Sequence, residues 1–282
     1  MKILLFTLLL CTSSWQTFSL PWGIIARGEL EYISEVDGAQ LVRIPAGVYE
    51  IGSDKGRYDE APRVRVELSA FLIDREEVSN FQFAKFLAES GYKVQGPWKR
   101  GFPKGGGELS VRYVTFHDAR AYTIWARRRL PTEAEWEAAT GTGLFPWGSK
   151  PPRLTRQTDL YTLPLAPPNP SPPDISPFGV RDLGGSLREW TADWYDRFVY
   201  RTLSVKSIAQ NPRGPASNSK PEQRFLDAKA GAGNERSTRK VVRGAGFFSR
   251  VEDHYRSSRR GAQNPDEWFN DIGFRCAVTL EP

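Results

Sequence analysis

The sequence predicts a single α+β domain, rich in loops and low in regular secondary structure. Strand-like runs lie early and late in the chain with helical patterns between them, which is the arrangement of an α+β fold. The 25 glycines and 21 prolines among 282 residues punctuate the chain too often for a helical bundle. Nine tryptophans call for a core or groove built on large rings, each indole N–H wanting an acceptor. No repeat and no linker divides the chain, and its length suits one large domain.

The elements follow in order. Residues 41–52 read as a strand, a turn at Pro45-Ala46-Gly47 and a second strand. Residues 63–68 alternate charged and apolar side chains, as a half-buried strand does. Ser79 caps a helix whose Phe83, Phe86 and Leu87 share one side, and Gly91 ends it. A second helix is expected over residues 118–128, with Ala121, Tyr122 and Trp125 on one face. Arg127-Arg128-Arg129 stands at its end, where the helix dipole favours cations. After Leu130-Pro131, Thr132 and Glu135 form a capping box for a short helix running to Ala139. Residues 145–177 are proline-rich and aperiodic, and residues 211–239 read as a polar loop. Residues 272–278 read as one strand, with Cys276 a small buried apolar residue in it.

A net charge of +6, scattered without a basic stripe, argues against nucleic acid as a partner. Met1-Lys2 and the apolar run 3–10 form a secretory leader too short to span a bilayer, cut after Ser19. This gives a signal peptide at 1–19, an N-terminal extension at 20–39 and the domain at 40–280. Cys11 would anchor the chain to a membrane only if lipidated, and Leu10 is not the small residue such processing needs. Once the leader is removed Cys276 is the remaining cysteine, so no internal disulfide forms. The expected location is exported, periplasmic or extracellular.

Several segments together resemble one family, that of the formylglycine-generating enzyme or sulfatase-modifying factor domain. They are Ile44-Pro45-Ala46-Gly47, Phe71-Leu72-Ile73-Asp74-Arg75-Glu76-Glu77-Val78-Ser79-Asn80, Arg129-Leu130-Pro131-Thr132-Glu133-Ala134-Glu135-Trp136-Glu137 and Phe145-Pro146-Trp147-Gly148. The later ones are the run from Gly179 through Asp182, Gly185 and Leu187 to Glu189-Trp190, then Arg243-Gly244-Ala245-Gly246 and Ile272-Gly273-Phe274-Arg275. The resemblance implies an irregular variant of the C-type-lectin fold, often stabilised by calcium. It also implies a pair of cysteines, soft donors for monovalent copper, shortly after the Arg-Gly-Gly-Ser motif. Here the first cysteine position falls at Ser249 and the second within residues 250–255, and no cysteine occurs from 243 to 275. Copper is therefore not expected, and no catalytic residue is assigned at the vacant position.

Other chemistries fare no better in the sequence. The two histidines, His117 and His254, are too few for the three-histidine iron site of related enzymes. Ser249 with His254 as nucleophile and base lacks an elbow, an orienting acid and an oxyanion motif. By resemblance, calcium is expected on Asp182, Gly185, Leu187 and Glu189, with a local cap or salt bridge for Glu189 as the alternative. A second calcium site in the loop at 154–174 is left unassigned. Arg243, Arg256, Arg260 and Arg275 resemble recurring family arginines and should satisfy backbone carbonyls in a fold short of strands. Arg243, Phe248, Ser249 and His254 are the candidates for a binding groove. Two functions follow as expectations. One is a non-oxidising binding or accessory module for an unknown protein, peptide or glycan. The other is a divergent oxidoreductase of the formylglycine-generating type working without the cysteine pair, as in periplasmic relatives that mature siderophore chromophores.

Overall fold

The computed structural model describes residues 20–280 except 22, 28–30, 153–173, 206 and 216–237. The stretch read as a leader, with Cys11, and most of the proline-rich stretch and of the loop at 211–239 lie outside the described residues. The first half of the chain forms β1 (Ile24–Ala26), β2 (Glu31–Ser34), β3 (Gln40–Ile44), β4 (Gly47–Ile51), β5 (Val64–Leu68) and β6 (Phe71–Asp74). Helices α1 (Asn80–Ser90), α2 (Phe116–Trp125) and α3 (Glu133–Ala139) follow. Then come β7 (Arg188–Trp194), α4 (Val199–Ser204), β8 (Ala209–Gln210), β9 (Lys240–Arg243), β10 (Arg260–Gln263), β11 (Ile272–Gly273) and β12 (Ala277–Thr279).

These strands make three small sheets, ordered β1-β2-β3-β6-β12, β10-β9-β7-β11 and β4-β5-β8. The turn at Pro45-Ala46-Gly47 separates two strands as expected, but they do not pair. β3 joins β6, while β4 pairs antiparallel with β5 in another sheet. The N-terminal extension drawn at 20–39 is built into the fold, since β1 and β2 complete the sheet of β3. β5 alternates buried and exposed positions along its whole length. No helix among the described residues is long and apolar enough to cross a membrane.

Local capping chemistry sets the helix boundaries. Ser79 and Gln82 form a capping box for α1, and Gly91 closes it at φ 66° with its N–H on the Leu87 carbonyl. α3 is held by the reciprocal box of Thr132 and Glu135. α2 begins two residues before the expected 118, because Thr115 is its cap and Asp118 the third residue of the box. It ends at Trp125, ahead of Arg127, which takes φ 56°. Arg128 is not displayed at the helix end. It turns inward and is buried against Asp37 and Asp74.

Residues 272–278 are not one strand. β11 pairs parallel with β7 and β12 antiparallel with β6, so the chain crosses from one sheet to another over Phe274–Cys276. Arg275 causes the break. Its guanidinium forks onto both oxygens of Glu189 in β7 at 2.7 Å each. Its remaining N–H groups reach the carbonyls of Asp74, Arg75 and Arg181. Cys276, next to it, is fully buried, and burial pushes its thiol well above the usual range. It is a packing residue.

Two further guanidiniums tie α3 to the late strands. Arg243 is fully buried and donates to Glu133 and Glu137 at 2.7 Å each and to the Ser257 carbonyl at 2.5 Å. Arg260 grips both oxygens of Glu133 at 2.6 and 2.9 Å and reaches the carbonyls of Asp59 and Asp196. Arg256 holds Glu60 from outside, at 2.5 and 2.8 Å. The expected carbonyl-satisfying role is thus joined by a second one, neutralising carboxylates that the core has buried. Burial alone would raise the Glu133 carboxyl, but Arg260 and Arg243 outweigh it and hold the group below its usual range.

Removing one partner of such a buried pair strands the other charge, at a cost of about 3–5 kcal/mol. Arg243→Met should therefore lower the urea unfolding free energy by roughly that amount. Arg243→Met combined with Glu137→Gln should recover much of the loss, since Glu133 keeps Arg260 as its partner. A single variant as stable as the parent would show that this contact does not hold α3.

Candidate functional site

The site is built on the turn after β9. Gly244 has φ 80°, and a Cβ there would sit 2.9 Å from the Leu183 carbonyl oxygen, so glycine lets the 183–187 turn approach. A Cβ on Gly246 would lie 2.5 Å from the Asp271 carboxylate. The chain then turns through Phe247 and Phe248 to Ser249, whose N–H donates to the Gly246 carbonyl at 2.8 Å.

Ser249 Oγ lies 2.8 Å from His254 Nδ1. The Tyr255 hydroxyl donates to the Ser249 carbonyl at 2.9 Å. His254 belongs to the 3-10 turn Glu252–Tyr255. Of the residues 250–255, it is therefore His254 whose side chain meets the Ser249 hydroxyl at the vacant position, while Tyr255 meets the Ser249 carbonyl. Burial, with Arg259 next in effect, lowers the imidazole pKa from its usual value, which favours the neutral ring. A hydroxyl and a neutral imidazole can exchange hydrogen bonds with a ligand, but they do not reproduce two thiolates.

The groove candidates divide. Phe248 stands 40 % exposed and His254 is half-buried, but Ser249, expected in the groove, is itself buried beneath them, its hydroxyl on His254. Arg243 does not join them. It is 0 % exposed and spent on Glu133, Glu137 and the Ser257 carbonyl, beneath the Trp136 ring, so it belongs to the frame and not to a groove. His117 bonds Asp266 instead.

Beyond Ser249 lie residues that sequence reasoning did not single out. Arg112 lies 5.2 Å from the Phe247 ring centre, and Tyr113 packs on Trp268. Arg188 forks onto Asp271 at 2.7 Å twice. The Arg112-Tyr113 pair following Val111 was the available signal, but nothing local in the sequence says that it meets residues 247 and 268.

The loop expected to hold calcium is drawn tight by carboxylates. Asp174 Oδ2 accepts from the N–H groups of Gly184 and Gly185 at 2.8 and 2.7 Å. Glu77 accepts from Ser186 Oγ and Leu187 N–H at 2.8 and 3.0 Å. Glu189 Oε2 takes Arg275 Nε at 2.7 Å and Trp136 Nε1 at 3.0 Å, while Oε1 takes Arg275 Nη2. Glu189 is thus in a salt bridge, but not the local one weighed for it, since Arg275 lies 86 residues along the chain. A carboxylate offers about four lone pairs, so Oε1 still has one to give. Asp174 Oδ1 is buried with no hydrogen-bond partner among the described residues.

Electrostatics point the same way. Burial pushes Asp174 up to about 6 and, helped by Asp174, pushes Asp182 up to about 7. Burial and the charges of Glu189 and Asp182 hold Glu77 well above its usual range, with Arg275 the opposing cation. An excess of buried negative charge, a spare carboxylate oxygen and an orphaned one suit a hard cation. Among the described residues no three His, Cys, Asp or Glu side chains converge to hold an ion unaided. The carbonyls of Gly185 and Leu187 would have to complete the set.

The His254 environment makes a direct prediction. In a proton-detected titration its imidazole should change shift below pH 6.5, and Arg259→Gln should move the midpoint upward. A midpoint at or above 6.5 in the parent would contradict the assigned surroundings.

With the geometry in place, comparison with known proteins is decisive for family. A model of the sulfatase-modifying factor enzyme 1-like domain matches residues 28–280. The chain is 29 % identical to the formylglycine-generating enzyme of Thermomonospora curvata, over 84 % of this chain and 93 % of that one. It is 27 % identical to a Bos taurus protein named inactive C-alpha-formylglycine-generating enzyme 2, over 84 % and 87 %. In fold it is similar to PvdO from Pseudomonas aeruginosa, with a TM-score of 0.64 at 21 % identity, covering 93 % of this chain and all of that one. Its mixed helix and sheet architecture agrees with that match, and the chain belongs to the sulfatase-modifying factor enzyme 1-like family.

Proposed function

We propose that this chain is an exported, non-oxidising member of its family that binds a protein, peptide or glycan. The observation that carries the reading is the Ser249–His254 hydrogen bond at the position where the family resemblance puts the first redox cysteine. Copper in its monovalent state wants soft, anionic sulfur, and a neutral hydroxyl with a neutral imidazole supplies neither. The two cysteines of the chain do not replace them. Cys276 is buried among packing residues with its thiol pKa raised, and Cys11 lies in the leader. The bovine relative named as inactive supports the idea that the fold serves without the oxidation.

Calcium is part of the reading. Asp182, the carbonyls of Gly185 and Leu187, and the free lone pair of Glu189 would hold it. The ion would supply fixed positive charge against the buried carboxylates. The chain's own residues do the rest: Glu77 and Asp174 hold the turn by its N–H groups, and Arg275 keeps Glu189 in place. Membrane attachment enters only through lipidation of Cys11.

Two measurements test this. Copper-loaded protein incubated aerobically with a cysteine-containing sulfatase peptide should form no formylglycine by mass spectrometry. Turnover would end the binding reading and favour the divergent oxidoreductase. Calcium should raise the unfolding temperature by a few degrees over chelator, on the order of 1–2 kcal/mol for a domain of this size. Asp182→Asn, which keeps an oxygen donor but removes its charge, should reduce that shift, and an unshifted parent would remove calcium from the proposal.

A further inference from the structure

We propose that a ladder of aromatic and arginine side chains beside Ser249 is the docking surface for an extended acidic peptide that carries aromatic residues. This rests on the binding reading above and names the ligand class for that site. The ladder runs Phe248, Phe247, Arg112, Tyr113, Trp268, Arg100. Its five successive contacts are 5.3, 5.2, 5.4, 5.8 and 5.5 Å between ring centres or from guanidinium carbon to ring centre. Phe248, at one end, adjoins Ser249 in the chain. Trp268, near the other end, is 39 % exposed.

The backbone is shaped for this ladder. Tyr113 takes φ 59°, a left-handed conformation that costs a non-glycine residue energy and is kept only where surroundings enforce it. Its N–H is fixed by the Phe269 carbonyl at 3.0 Å. Gly96 makes room for it, because a Cβ there would collide with the Tyr113 carbonyl oxygen. Gly101 makes room for its neighbour, because a Cβ there would lie 2.6 Å from Arg112 Cγ. Two glycines and one strained residue thus set a guanidinium between two rings.

The charge of the ladder is left open. Among the described residues neither Arg100 nor Arg112 forms an ion pair, whereas Arg188, over the nearby Phe269 ring, is saturated by Asp271. Arg112 donates through Nη1 to the Asn270 carbonyl at 3.2 Å, and its Nε is buried without a partner. Burial also lowers its pKa, the mark of a cation lacking a carboxylate. Guanidiniums over aromatic faces keep their outward N–H groups for carboxylates, and the exposed rings stack with rings. The stripe is too long for one ring and one carboxylate to fill, so an extended chain with both is the fitting occupant.

The test is calorimetric titration of the full protein with two synthetic peptides, an acetylated hexapeptide alternating Glu and Tyr and its counterpart alternating Lys and Tyr. The acidic peptide should bind at least about tenfold more tightly, with affinity falling at high salt. Arg112→Gln and Trp268→Ala should each weaken it by about tenfold, while Arg65→Gln on the solvent face of β5 leaves it unchanged. Trp268 is exposed enough for its variant to fold, which the unfolding temperature verifies. Equal binding of the two peptides, or full binding by both the Arg112→Gln and the Trp268→Ala variant, would overturn the proposal. Failure here without copper turnover would leave the non-oxidising reading standing, whereas copper turnover would remove that reading by itself.

Discussion

Buried guanidinium–carboxylate contacts are the constraint on which the rest of this molecule depends. With short strands in three small sheets, backbone ladders alone connect little of the chain. Arg243, Arg260 and Arg275 make up the difference, each joining a carboxylate to backbone carbonyls of other segments. A planar fork with several donors does this better than any other side chain, because each arm finds its own acceptor without reorienting the others. The cost of burying the charge is offset by mutual pairing, which makes the contacts intolerant of losing one member.

That constraint also separates frame from working surface. Arg243 sits within the motif that leads to Ser249, yet it faces away into α3 and cannot meet a ligand. The arginines that remain for recognition, Arg100 and Arg112, come from a segment between α1 and α2 and are held by ring faces instead of carboxylates. One side-chain type thus does two jobs, distinguished by its surroundings. The pair at Ser249 and His254 lies between these regimes, on a rigid turn whose glycines bring the 183–187 segment and Asp271 close. A scaffold so independent of the residues at its rim can lose a redox pair without losing its shape, which is why fold alone does not settle activity.

What was legible in the sequence was local. Ser79 and Thr132 announce α1 and α3 because a capping box is written within four residues. The start expected at 118 was two residues late, since Thr115 caps the helix and Asp118 completes its capping box. Strand pairing was not legible. Residues 41–52 look like a hairpin, but which partners β3 and β4 choose depends on β6 and β5. The run 272–278 looks like one strand because nothing in its hydrophobicity reveals that Arg275 must reach both Glu189 and Asp74. The Ser249–His254 contact could be imagined from five-residue spacing, whereas the Arg112 ladder could not. It gathers residues 100–113, 247–248 and 268, and it turns on a left-handed tyrosine that the sequence does not mark.

The arginine forks also set a timetable for synthesis. Glu133 leaves the ribosome 110 residues before Arg243 and 127 before Arg260, and Glu189 leaves 86 before Arg275. At ordinary elongation rates those carboxylates wait on the order of ten seconds for their counter-charges. A nascent chain cannot bury α3 during that interval without burying uncompensated acid, so the domain must condense late, as one event.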